Sequence, residues 1–120
     1  TWEPRGVYRE YLGDVTIAER RASFDAICGD ARYDVLRYTI TSFLDVREYE
    51  DSSSASLEIA ALHAAPLVTN PRLVLAAVAV RHDHLAAIAR IKSHELIKVP
   101  YEVFATLEQA RAWVERRRPA

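Results

Sequence analysis

Residues 72–80 read RLVLAAVAV, eight apolar side chains in succession behind an arginine and ahead of the polar RHDH. A strand with one wet face alternates apolar and polar side chains, so an unbroken apolar run predicts a strand at the middle of a sheet with both faces covered. The run is far short of the roughly 20 apolar residues needed to span a bilayer. Both faces of the sheet therefore need a layer of cover, and the remaining sequence has to supply it.

The flanking segments alternate between the two periods. Residues 6–15, GVYREYLGDV, set Val7, Arg9 and Tyr11 against Tyr8, Glu10 and Leu12, with Gly13-Asp14 as a turn signal, and predict a strand or short hairpin. In TIAERRASFDAICGD, Thr16 and Glu19 have capping-box spacing, Ile17, Phe24, Ile27 and Cys28 share a helical face, and Gly29 suits a left-handed stop. Residues 34–46, DVLRYTITSFLDV, predict a long strand. SLEIAALHAAPLV is apolar nearly all round and predicts a buried helix that Pro66 kinks or ends, followed by Asn70-Pro71 as punctuation.

After the central strand, HDHLAAIARIKSHEL repeats Leu85, Ile88, Ala89 and Lys92 at helical spacing, with Asp83 as cap. YEVFA is a short strand. Thr106 and Gln109 form a second capping box before a helix with Leu107, Ala110, Trp113 and Val114 on its apolar face. Strand and helix thus alternate four times. The expectation is an α/β fold with a four- to five-stranded, mostly parallel or mixed sheet, one domain over residues 1–120 with its core at about 7–114.

Composition removes several function classes. Sixteen basic against seventeen acidic residues leave a net charge of -1, which provides no field for nucleic acid or an anionic membrane surface. The N-terminal TWEPRGVYRE holds no apolar signal-peptide core, so the cytoplasm is the expected location. Gly6, Gly13 and Gly29 are the only glycines, too few and too scattered for a phosphate-cradling loop. Cys28 cannot form an internal disulfide and reads as a small core residue. His63, in the apolar helix, reads as a hydrogen-bonded or boundary histidine rather than a functional one. Trp113 belongs under the last helix, and Trp2 at a sheet edge or a partner.

Four segments, REYLGDVT, LRYTITSFLDVREYEDSSSASLEIAAL, PRLVLAAVAV and YEVFATLEQARAWV, resemble in order and spacing the STAS domain family. They look closest to its small stand-alone bacterial members, the SpoIIAA-like or STAS/SEC14-like proteins. The resemblance implies a SpoIIAA/STAS-like arrangement of the α/β fold. In the anti-sigma-factor antagonists of that family, a serine in an Asp-Ser-Ser-Gly-Leu turn is phosphorylated to break binding to a partner kinase. Asp51, Ser52 and Ser53 match the Asp-Ser-Ser, Ser53 corresponds to the modified serine, and Ser52 is the neighbouring phosphorylation candidate. The chain departs from the pattern at Ser54-Ala55, which replaces Gly-Leu, at Thr16 in place of an acidic residue, and at Ser42 in place of a strand aspartate.

Ligands of open parallel sheets gather beyond the carboxyl ends of the strands. That edge brings Asp51, Ser52 and Ser53 toward Arg81, His82 and His84, which are the candidate ligand or partner residues. The serines also suit a helix N-cap, typically worth about 1 kcal/mol. Two function classes follow. The first is a non-catalytic STAS-like regulatory module, with no cofactor, that binds a protein partner or a small apolar ligand through LEIAALHAAPLV and the loop before it. The alternative is a small metal-dependent or hydrolytic enzyme, with His82 and His84 joined by Asp51 or His94 as metal ligands, or Ser52 or Ser53 as nucleophile with a histidine base. The binding module is the primary expectation. The His82 and His84 spacing matches no metal motif, histidines at such a helix start usually face solvent, and no nucleophile elbow surrounds the serines. GVYREYL is the expected pairing edge of a homodimer.

Overall fold

A computed structural model describes residues 1–50, 53–93 and 97–117, with residues 53–56 described as backbone only. Among these, five strands form one sheet in the order β1-β2-β3-β4-β5, with four helices. The strands are β1 (Trp2–Glu3), β2 (Gly6–Val15), β3 (Tyr38–Tyr49), β4 (Val74–Val78) and β5 (Tyr101–Phe104). The helices are α1 (Ile17–Cys28), α2 (Ser53–Thr69), α3 (His82–Lys92) and α4 (Leu107–Arg117), and residues Ala31–Val35 add a 3-10 turn. β1 runs antiparallel to β2, and β2 through β5 are mutually parallel, so the sheet is mixed.

Adjacent parallel strands in chain order need a crossover at every step, and right-handed crossovers put the connecting helices on one face. α1, α2 and α3 accordingly share a face, with α2 packed between the other two. α4 follows the last strand and covers the opposite face. β4 divides its side chains between the layers: Val74, Ala76 and Val78 pack with Ala110, Trp113 and Val114 of α4, while Leu75 and Ala77 face the other layer. All five of its residues are buried, as the apolar run required.

Both capping boxes form. Thr16 and Glu19 exchange hydrogen bonds at the start of α1, and Gln109 N–H donates to Thr106 Oγ1 at 3.2 Å while Gln109 Oε1 accepts from Thr106 N–H at 3.3 Å. Other local expectations are corrected. Gly13 does not turn the chain: β2 continues through it, with φ at 64° beside one of two register shifts against β3. Gly29 ends α1 at φ -82°, right-handed, because the Asp30 side chain at once caps the 3-10 turn by accepting from Arg32 N–H. That turn takes up residues 34 and 35, so β3 begins at Tyr38 and runs on to Tyr49. α2 continues past Pro66 to Thr69, α3 starts from Arg81 as N-cap without a side-chain cap bond, and its buried face is His84, Ala87, Ile88 and Ile91.

Two polar anchors lock the layers. Glu3 accepts from both Arg111 guanidinium nitrogens, at 3.1 and 2.8 Å, and from the Tyr38 hydroxyl, tying β1, α4 and β3 together. The Tyr38 ring lies so close over Gly6 that a Cβ there would overlap it. On the other face, buried Asn70 donates through Nδ2 to the carbonyls of Tyr33 and Leu36 at 3.0 and 2.8 Å, while Tyr33 donates its hydroxyl to Pro66 O at 2.7 Å.

Replacing Asn70 removes one of two hydrogen bonds from each carbonyl, since Tyr33 O also accepts from Leu36 N–H at 3.1 Å and Leu36 O from Arg37 Nη1 at 3.0 Å. Truncation also empties the buried amide's place in the packing; each lost bond costs about 1 kcal/mol and the cavity adds to it. Asn70→Ala is expected to lose about 3 kcal/mol in urea unfolding. Asn70→Asp, isosteric but without the donor, should lose at least as much, whereas an Asp variant as stable as the parent would show that size rather than hydrogen bonding matters there.

Candidate functional site

At the carboxyl edge, Arg81 donates to Val46 O at 3.2 Å and Arg47 O at 2.7 Å, so the loop after β4 does lie against the end of β3. The same guanidinium pairs with both Asp83 oxygens, at 3.2 and 2.8 Å. Asp83 Oδ1 also accepts from His84 N–H, so this carboxylate serves the first turn of α3 from inside it. Asp51, Ser52 and His94 lie outside the described residues, and Ser53 is placed as the first residue of α2.

The two histidines of this edge part company. His82 is exposed, whereas His84 is only 1% exposed, its ring centroid 6.0 Å from Tyr49 and 6.3 Å from Phe43. The expectation that both face solvent therefore holds for His82 alone: the third residue of α3 turns inward under the end of β3. Burial, with help from Arg81, lowers the His84 pKa against the opposing pull of Asp83, and its Nε2 has no hydrogen-bond partner among the described residues. Among the described residues, no group of three or more His, Cys, Asp or Glu side chains is placed to hold a metal ion.

A denser polar constellation lies inside, between the sheet and the layer of α1, α2 and α3. Arg9 from β2 donates through Nε and Nη2 to Thr41 Oγ1 at 3.2 and 2.9 Å, and through Nη1 to Ser23 Oγ at 3.2 Å and Tyr11 Oη at 3.4 Å. Arg20 from α1 is 4% exposed; its guanidinium carbon stands 4.2 Å from the Tyr49 ring centroid and Nη1 donates to Glu50 O at 3.1 Å. Both arginines, with Tyr11, Tyr49, Tyr101, Thr41 and His63, line a cavity of about 40 Å³. Neither guanidinium has a carboxylate partner among the described residues.

His63 stacks on Phe24 with centroids 4.1 Å apart, and its Nδ1 donates to Ile59 O at 2.8 Å, the carbonyl being able only to accept. Burial, reinforced by the two arginines, brings its pKa down to about 4. Burial likewise pushes the Tyr101 phenol up to about 12 and the Cys28 thiol up to about 11, so both stay protonated at neutral pH. Composition gave no hint of this cluster, but phase did. Arg20 falls on the Ile17, Phe24 and Ile27 face of α1, and Arg9 alternates with Val7 and Tyr11 on the inward side of β2.

The C-terminal half of α2 carries a third feature. Ala64, Leu67, Val68, Pro71 and Val99 line an open groove of about 400 Å³, with Lys98 the one charged lining residue among the described residues. Among the described residues it shares none with the arginine cavity. In comparisons with known proteins, no family model, no curated protein and no solved structure matches the chain.

The depressed His63 pKa has a definite pH signature. An unfolded imidazole takes up a proton near pH 6.5, but the folded one resists until about pH 4, so the unfolded state binds more protons in that window. Stability is therefore expected to fall as pH drops from about 6.5 to about 4, by at most about 3 kcal/mol. Chemical denaturation of the parent and His63→Gln across this range checks it: the parent should lose more than the variant, and parallel curves would contradict the assignment.

Proposed function

We propose that the chain is a non-catalytic STAS-like binding module whose ligand is a small apolar molecule held in the groove at the C-terminal half of α2. The groove carries the reading. Its volume of about 400 Å³ lies within the range of small-molecule sites, and Val68, 80% exposed, presents an isopropyl group to solvent in its wall. It stands beside four other apolar lining residues, Ala64, Leu67, Pro71 and Val99. The alternation of parallel strands and helices, and the Asp-Ser-Ser run leading into α2, support the STAS-like part.

The regulatory part puts the control point at Ser52 or Ser53, where α2 opens. A helix N-terminus favours a phosphate electrostatically, and a phosphate there would alter the edge available to a partner. Intact-mass measurement after expression in the native host should then show a phosphorylated fraction that Ser52→Ala, Ser53→Ala removes; an unmodified chain under several growth conditions eliminates the switch.

For the groove, a neutral solvatochromic dye such as Nile red serves as probe. Val68→Glu alters an exposed side chain and should leave the melting temperature within a degree or two, yet weaken dye binding at least tenfold by putting a charge on the apolar wall. Absence of saturable binding by the parent, or equal binding by the variant, would reject the small-ligand reading.

A further inference from the structure

We infer that the cavity between β2, β3 and α1 is a carboxylate-binding site in which Arg9 and Arg20 recognise the anionic head of a small polar acid. The site is independent of the α2 groove.

The argument starts from charge. A guanidinium stays cationic at physiological pH, and sheltering an ion from water costs several kcal/mol unless an opposite charge or a full set of acceptors compensates it. Arg20 is 4% exposed, and the structure gives it one carbonyl and one aromatic face. Its Nε and Nη2 have no acceptor among the described residues. Arg9 is satisfied by three hydroxyl groups, of Thr41, Ser23 and Tyr11, all neutral. Two cations thus face one cavity that no carboxylate among the described residues lines, and each raises the other's cost.

The walls select the ligand chemistry. Tyr49 and Tyr101 bring phenols that make no hydrogen bond among the described residues and remain donors at neutral pH. Phe24, Phe43, Ile59 and Ile91 close the remainder and keep the local dielectric low, which strengthens charge-assisted bonds. About 40 Å³ accommodates roughly three water molecules, the space of a carboxylate group and little more. A planar carboxylate also matches the guanidinium fork, which a spherical halide does not.

The rest of the ligand has a place as well. Arg9 and Tyr11 also line an open groove on the outside of β2 and α1, together with Tyr8, Glu10, Glu19 and Ser23. Arg9 therefore stands between the inner cavity and the surface. The carboxylates of Glu10 and Glu19 in this outer groove, which Thr1 also lines, accept hydrogen bonds from hydroxyl or amino substituents. The occupant is a small carboxylic acid bearing such donors.

Titration with sodium glycolate, followed by the ring resonances of Tyr11, Tyr49 and Tyr101, tests the site against glycolamide and sodium chloride at equal concentration. Saturable glycolate shifts are expected, at least tenfold weaker for the uncharged amide and for chloride. Arg20→Lys keeps the charge without the fork, and half-buried Arg9→Gln removes the charge at the entrance; each should weaken glycolate at least tenfold. If Arg20→Lys does not fold, Arg9→Gln with an unchanged circular dichroism spectrum decides alone. The inference is overturned by absence of saturable glycolate binding, by equal binding of glycolamide or chloride, or by unaltered affinity in folded Arg9→Gln. Dye binding in the α2 groove should persist in these variants, which separates failure at one site from failure at the other.

Discussion

A parallel strand can be reached only by carrying the chain back along the sheet, and here that happens three times in succession with each new strand laid beside the last. Handedness then fixes the side of every return. Three helices crowd one face, and the other would be bare if α4 did not fold back across it. The buried strand β4 is where both consequences meet: its side chains must satisfy two different layers, and its alanines let helix and sheet approach closely. The single-helix face is the thinner one, and it is the face reinforced by the Glu3 clasp to Arg111 and Tyr38. Arg111 favours the Glu3 carboxylate and outweighs the cost of its partial burial, so the carboxyl group titrates below its ordinary range.

The crowded face pays for its extra layer in polarity. Where α1 and α2 meet the sheet, the contact is not wholly apolar: Arg9, Arg20, His63 and three tyrosines share the space with phenylalanine and isoleucine. Neutral His63 is consistent with two nearby cations, since a third positive charge in the same interior would be costly. The cluster joins β2, α1, β3, α2 and β5, so a change in its occupancy would be felt by most of that layer.

The sequence disclosed the frame more readily than the interior. Strand and helix order followed from periodicity, and both capping boxes followed from spacing, because those signals are local. The apolar run at residues 72–80 also announced a two-sided strand correctly. Gly29 misled because its usual role was replaced by the neighbouring chain, Asp30 beginning a new turn immediately, and Pro66 does not end α2, which runs on to Thr69. The cap of α3 was read two residues too late, at Asp83 and not Arg81, because Asp83 binds Arg81 and His84 within the turn. The carboxyl edge was located by topology, and the Arg81 contacts agree with it, but the burial of His84 depends on rotation of α3 against Phe43 and Tyr49. The arginine cavity was harder still. A charged side chain on an apolar face is normally assigned to the rim, and only the packing of α1, α2 and β5 together encloses it.

One irregularity of β2 bears on how the domain meets its neighbours. β1 pairs only with Gly6 and Val7, and farther along β2 two register shifts and the positive φ of Gly13 interrupt the ladder with β3. A bulged strand twists, and its outward N–H and C=O groups no longer form a straight row. A strand added along this edge would have to follow the same shifts of register. The irregularity of β2 thus works in the same direction as the charges of Arg9, Glu10 and Asp14 along it, both making an open-ended stack of sheets harder to build on this side.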